Sequence, residues 1–185
     1  MLLSEQGLGG RDADVVRRYE RWQQDRQPRA TAARSAAKRW AMMVRAVPGR
    51  VDAVSDGEDT ASVIAWLIAT AYPERVARRR GASGEDWQAA GGRGYRLDGT
   101  APLAAQEWLA VADVQGASGG ARIMAAAAMD ADLVTRWVAA HGQLRHTARY
   151  DAATDRVEAM RERRLGAITL SRGPDPARTS GAGGS

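Results

Sequence analysis

The residue pattern changes at Gly81, and that change limits the folds open to this chain. Before Gly81 apolar residues recur at helical intervals. After it, short runs are punctuated by glycine and alternate between apolar and polar, the periodicity of half-buried strands. A helical unit followed by a strand-rich unit is therefore predicted, and 185 residues suffice for two small units or one composite.

In the first part, Asp12 or Asp14 can cap a helix through Val15, Val16, Tyr19 and Trp22 that fades near Pro28. A second helix carries Ala33, Ala36, Ala37, Trp40, Met43, Val44 and Val47 up to the stop at Pro48-Gly49, with Arg34, Lys38 and Arg45 on the opposite stripe. A third follows Asp59 with Val63, Ile64, Trp66, Leu67 and Ile68, apolar round most of its girth, which predicts central burial. Pro73 breaks it, and Arg75, Arg78, Arg79 and Arg80 crowd the segment before Gly81.

Strands are expected at Asp86–Ala90, Gly94–Asp98, Trp108–Gln115 and Arg122–Met129, then a helix capped by Asp130 and closed at Gly142. Two further strands, Leu144–Tyr150 and Arg156–Arg164, flank the polar turn Asp151–Asp155. On the first of these Leu144, His146, Ala148 and Tyr150 share one side and Arg145, Thr147 and Arg149 the other, a basic outer face. With the first two short strands taken as one bent strand, the order is three strands, a helix and two strands. That order predicts a small five-stranded barrel of the OB type, a fold that commonly holds oligonucleotides. The fold class expected is α+β: residues 1–80 a helical unit, 81–171 an OB-like barrel with one helix, and 172–185 a disordered tail rich in Pro, Gly, Ser and Thr.

Charge points to a polyanionic partner. The formal net charge is +5 and the pI is near 10.3. Residues 1–50 carry 11 basic and 5 acidic side chains and residues 131–185 carry 9 and 6, whereas 51–130 carry 7 and 11. Two basic ends thus flank an acidic centre. Lys38 is the only lysine among 27 basic residues; a GC-rich genome accounts for most of that bias, although arginine's planar fork also suits phosphate. Several chemistries are excluded. Without cysteine there is no disulfide, thiolate metal site or cysteine nucleophile. No segment fits the phosphate-binding pattern G-x-x-x-x-G-K-[ST], and Gly91-Gly92-Arg93-Gly94 reads as a strand-to-strand turn at least as well as a phosphate cradle. His141 and His146 are not spaced with carboxylates as a metal site requires and are read as structural. The run Ala61–Tyr72 is too short to span a bilayer and residues 1–10 lack a secretory pattern, so the expectation is a soluble cytoplasmic protein with no membrane partner.

Five phrases in order give a more specific indication: AYPERVARRRG (71–81), GGRGYRLD (91–98), PLAAQEWLAVADVQG (102–116), ARIMAAAAMD (121–130) and RLGAITLSRGPDP (164–176). Together they resemble the C-terminal accessory region of bacterial HrpB-type ATP-dependent helicases of the DEAH-box class, and LLSEQ (2–6) with its following helices extends the likeness upstream. The resemblance implies the end of a helical ratchet-like domain followed by an OB-like domain. Both motor domains of that family are missing here, so ATP and Mg2+ are expected only in the parent's motor domains, and no cofactor or catalytic residue in this chain.

The reading that follows is an accessory segment of an ATP-dependent helicase that binds and guides a single strand, RNA or DNA, with RNA implied by the family. Candidate contacts are Arg78, Arg79, Arg80 and Arg93 at the domain junction and Arg145 and Arg149 on the alternating strand. The alternative is a protein-interaction module that docks onto helicase motor domains, with Trp22 and Trp40 as partly exposed anchors.

Overall fold

A computed structural model of the chain describes residues 8–45, 59–116, 120–151 and 156–175. Helix α1 (Val15–Gln24) starts where the Asp14 carboxylate accepts the Val16 amide at 2.9 Å and the Arg17 amide at 3.3 Å. Trp22 at its far end is buried with Leu8 and with Ala30 and Ala33 of α2 (Pro28–Arg45). Trp22 is therefore a core residue of this small cluster and not an exposed anchor. Arg34 donates to the Trp22 carbonyl at 2.6 Å, satisfying a terminal acceptor of α1 and tying the two helices together. Farther along α2, Trp40 is 52% exposed.

Five strands form a closed barrel: β1 (Val76–Arg80), β2 (Asp86–Ala89), β3 (Gly94–Arg96), β4 (Trp108–Gln115) and β5 (Ala121–Ala128), in the order β1-β2-β3-β5-β4. Only the β3–β5 pair among them is parallel. Alternation sends Ala77, Trp87, Tyr95, Leu109, Val111 and Ile123 inward, where all are buried. The Trp87 indole N–H donates to the Gly84 carbonyl at 2.8 Å, so its polar edge stays satisfied inside. Burial also raises the pKa of the Tyr95 phenol, which keeps it neutral.

The outer face of β4 and β5 carries Ala110, Ala112, Ala125 and Ala127, small side chains that admit a helix at close range. Helix α3 (Thr60–Ala71) lies there with Ala65, Ile68 and Ala69 buried. Helix α4 (Ala131–His141) adds Leu133 and Trp137 to the same core. Both starts are capped by aspartate: Asp59 accepts the Ser62 amide at 2.6 Å and Asp130 the Leu133 amide at 2.7 Å. The Ser62 hydroxyl then donates to Asp130 at 2.6 Å, joining the two caps.

A second antiparallel sheet follows, β6 (Gln143–Asp151), β7 (Arg156–Leu165) and β8 (Ile168–Pro174), in that order. Its β7–β8 turn seats on the barrel: the Ala167 amide donates to the Ala90 carbonyl at 2.7 Å, and Leu165 and Ile168 enter the core under α3.

An α+β protein with an OB-like barrel is thus as expected, but the barrel is assembled differently. Its first strand is Val76–Arg80, on the N-terminal side of the boundary expected at residue 81. Asp86–Ala89 and Gly94–Arg96 are two strands, not one bent strand. Leu144–Tyr150 and Arg156–Arg164 are strands, yet they belong to the second sheet. The expected disordered tail also begins too early: Gly173 and Pro174 pair with Arg161 and Met160, and Asp175 is buried. Residues 176–185 lie outside the described residues.

Candidate nucleic-acid interface

Alternation gives the three consecutive arginines of β1 different partners, although all three line one cleft. Arg78 points outward beside the start of β4, where its Nε and Nη2 donate to Glu107 at 3.1 and 2.9 Å, with its guanidinium 5.5 Å from the Trp108 ring centroid. A third donor reaches the Thr169 carbonyl of β8 at 3.5 Å. Arg79 turns to the end of the barrel and donates to the carbonyls of Ala104 and Ala105 at 3.2 and 3.3 Å, closing the 3-10 turn Pro102–Ala105. Arg80 returns to the outer face and donates to the Gln88 side-chain carbonyl.

Strand register carries the outward row onward. Arg80 stands opposite Asp86, Asp86 opposite Arg96, and Arg96 opposite Arg122 of the parallel β5. Four strands side by side place this row across about 14 Å. Arg96 and Arg122 are exposed, and among the described residues Arg96 makes only long contacts to Glu85 at 3.9 Å and Asp86 at 3.7 Å. Gly94 lies between with no atom within 4 Å of where a Cβ would project, so the middle of the face is open.

Two clefts follow this row and share Arg80 and Gly81. One, of about 450 Å³, includes Arg78, Gln88, Glu107 and Thr169; the other, of about 550 Å³, includes Asp86, Gly94, Arg96 and Gly120. The β1–β2 and β4–β5 connections both border the second cleft, the strand-and-loop surface by which OB barrels hold oligonucleotides. The barrel's three aromatic strand residues are all buried, Trp87 and Tyr95 inside at 1% and 3% exposure and Trp108 at 7% beneath the Arg78 guanidinium, so this face offers charge and hydrogen bonds without an exposed stacking ring.

The other sequence candidates lie elsewhere. Arg93 is exposed on the β2–β3 turn, at the opposite end of these strands from Arg80. Arg145 is exposed on β6 opposite Glu162, and Arg149 lies farther along β6 opposite Glu158. Sequence reasoning missed Arg96 and Arg122. The signal was present: Tyr95-Arg96-Leu97 and Ala121-Arg122-Ile123 both alternate buried, exposed, buried.

The histidines serve the framework. His141 stacks on Trp137 at 3.9 Å between centroids, and its Nδ1 lies 3.0 Å from the Trp137 carbonyl. His146 Nδ1 lies 2.7 Å from the buried Asp175 carboxylate. Among the described residues there is no cluster of three or more His, Cys, Asp or Glu side chains able to hold a metal ion, and no helix long and apolar enough to cross a membrane. A recess of about 440 Å³ between α3 and α4 is lined by Trp66, Leu133, Trp137 and His141. Its one strong cation is Arg136, which adjoins Asp59, Asp130 and Asp132, so this side does not favour a polyanion.

The fold and its outward arginine row define an α+β protein built on an OB-like barrel, with helices packed behind it and a basic surface in front. No family model matches the chain. Over 119 residues it is 38% identical to the ATP-dependent RNA helicase HrpB of Escherichia coli, covering 63% of this chain and 15% of that protein. The crystal structure of the E. coli DExH-box NTPase HrpB superposes with a TM-score of 0.72 at 27% identity, covering 94% of this chain and 20% of that one. A second crystal structure, of the E. coli DEAH/RHA helicase HrpB, gives 0.59 at 25% identity, covering 91% and 19%. The chain is homologous to HrpB and corresponds to a small part of that larger helicase.

Proposed function

We propose that this chain is an accessory segment of an ATP-dependent RNA helicase that holds and guides single-stranded nucleic acid, RNA in the first instance, across the outer face of its barrel. The observation that carries the reading is Arg78, Arg80 and Arg96 along two joined clefts, with Arg122 beside Arg96 in the β3–β5 register, on an OB-like barrel homologous to part of HrpB. Phosphates neutralised by these guanidiniums supply most of the affinity, because no ring on that face stacks a base. ATP and Mg2+ belong to the motor domains of the complete helicase, and the cytoplasm is the compartment that suits such a machine.

The test is binding of a fluorescent 12-nucleotide uridylate RNA to the full chain at several salt concentrations. Each phosphate neutralised on a single strand contributes about 0.7 to the log-log slope, so three or four engaged arginines give roughly −2 to −3. A slope near zero removes the reading.

A second reading is docking onto helicase motor domains, and one observation favours it. Trp40, Met42 and Met43 on α2 are 52%, 64% and 60% exposed. Motor domains supplied in trans would then bind the chain, and Trp40→Ala would abolish that association without changing RNA affinity.

A further inference from the structure

The second sheet is two-faced in its electrostatics. On the face that includes Glu162, that carboxylate is engaged within the sheet: Arg172 lies 2.8 Å and Arg164 3.7 Å from it, and Arg145 stands directly opposite on β6. The opposite face is formed by Leu144 and His146 on β6 and by Arg163 and Arg161 directly across from them on β7. Tyr150 lies farther along β6 on the same side. The carboxylate described on this face is Asp175, which is 2% exposed and held by His146. Among the described residues neither Arg161 nor Arg163 has a hydrogen-bond or ion-pair partner, and both are exposed. Leu144 is 56% and Tyr150 61% exposed.

A sheet normally buries one face. Here two guanidiniums and an aliphatic side chain are exposed side by side, and an exposed ring lies about 13 Å farther along β6 than His146. The combination suits a partner that is anionic along a repeating backbone and flat in its side groups. Guanidiniums take phosphate oxygens in a bidentate fork, and a Tyr ring stacks any base with little sequence preference. An acidic protein surface would match the charge but leaves the ring without a planar partner.

We propose that this face of β6 and β7 is a second contact for single-stranded nucleic acid, with Arg161 and Arg163 on phosphates and Tyr150 beneath a base. It supplies the stacking that the barrel groove lacks, and it rests on the nucleic-acid reading given above. It also differs from the sequence expectation, which placed the basic face of this strand on Arg145 and Arg149.

The experiment uses the full chain with the 12-nucleotide uridylate RNA. With both contacts engaged the full-chain salt slope steepens from the groove's roughly −2 to −3 to about −3.5 to −4.2; Arg161→Ala with Arg163→Ala lowers its magnitude by about 1.4, and Arg161→Lys with Arg163→Lys restores it. Tyr150→Ala weakens binding on the order of tenfold and Tyr150→Phe does not. Ultraviolet crosslinking of the unsubstituted chain attaches RNA to the peptide containing Tyr150, a result independent of any variant's folding. If Arg96→Ala with Arg122→Ala weakens binding while the β7 and Tyr150 variants and the crosslink show nothing, this second contact is overturned and the groove reading stands. If neither set matters, both are overturned. Competition by a 12-residue polyglutamate as effective as RNA itself would make the face a general acidic dock and also overturn the proposal.

Discussion

Gly166→Ala tests how the second sheet is held to the barrel, and the structure sets the size of the effect. Gly166 has φ +55°, in the left-handed region, at the turn between β7 and β8. A Cβ there would sit 2.2 Å from the Ala90 carbonyl oxygen, far inside contact distance and against backbone that has no rotamer by which to move aside. That carbonyl accepts the Ala167 amide at 2.7 Å. The left-handed conformation costs an L-residue about 1–2 kcal/mol. Relieving the clash breaks the seating hydrogen bond, about 1 kcal/mol more. The total of roughly 2–3 kcal/mol corresponds to a melting temperature lowered by about 4–12 °C for a chain of this size. Urea denaturation and calorimetry measure it, and loss of amide protection at Ala167 localises it. A variant within about 0.5 kcal/mol of the parent, with Ala167 still protected, refutes the seating of this turn on the barrel.

Other outcomes follow from separate parts of the molecule. Leu109→Ala, at 0% exposure inside the barrel, is expected to cost about 2–5 kcal/mol in denaturant titration through the cavity it leaves. Asp130→Ala removes the cap of α4 and its link to Ser62, a loss of about 1 kcal/mol at pH 7 by thermal melting. Hydrogen bonds from the Leu133 amide and then from the Ser62 hydroxyl hold the Asp130 carboxyl below the usual carboxylate range. Its stabilisation is therefore complete above an unfolded-state value near pH 4 and is lost as pH falls through the lower folded value; parent and variant should converge in strong acid. With no phosphate-binding loop in its sequence, the purified chain is expected to leave ATP unhydrolysed with or without RNA, as a phosphate-release assay would report.

The helices were legible in the sequence because their signals are local. Asp14, Asp59 and Asp130 stand immediately before apolar repeats, and each caps the helix it precedes. Most barrel strands were legible from alternation, yet β1 was not, since Val-Ala-Arg-Arg-Arg directly after a helix and Pro73 hides a period of two behind charge. Only its partners β2 and β4 make it a strand, and those pairings are nonlocal. The same gap misassigned β6 and β7, whose neighbour β8 was not read as a strand and at its far end, residues 172–174, runs into what composition marked as a tail. Of the candidate arginines, Arg78, Arg79 and Arg80 all line the groove, with Arg79 also donating to the Ala104 and Ala105 carbonyls at the end of the barrel, a difference in partners that alternation could have anticipated. The adjacency of Arg96 and Arg122 depends on the parallel β3–β5 register, which no sequence period encodes.

Strand binding on the barrel's outer face is tested most directly by amide and guanidinium chemical shifts measured during titration of the isotopically labelled chain with the uridylate RNA. The predicted result is a set of perturbations concentrated on Arg78, Arg80, Gly81, Gly94, Arg96, Gly120 and Arg122, diminished as salt is raised. Perturbations confined to α2, or to the recess between α3 and α4, with this row unmoved would contradict it.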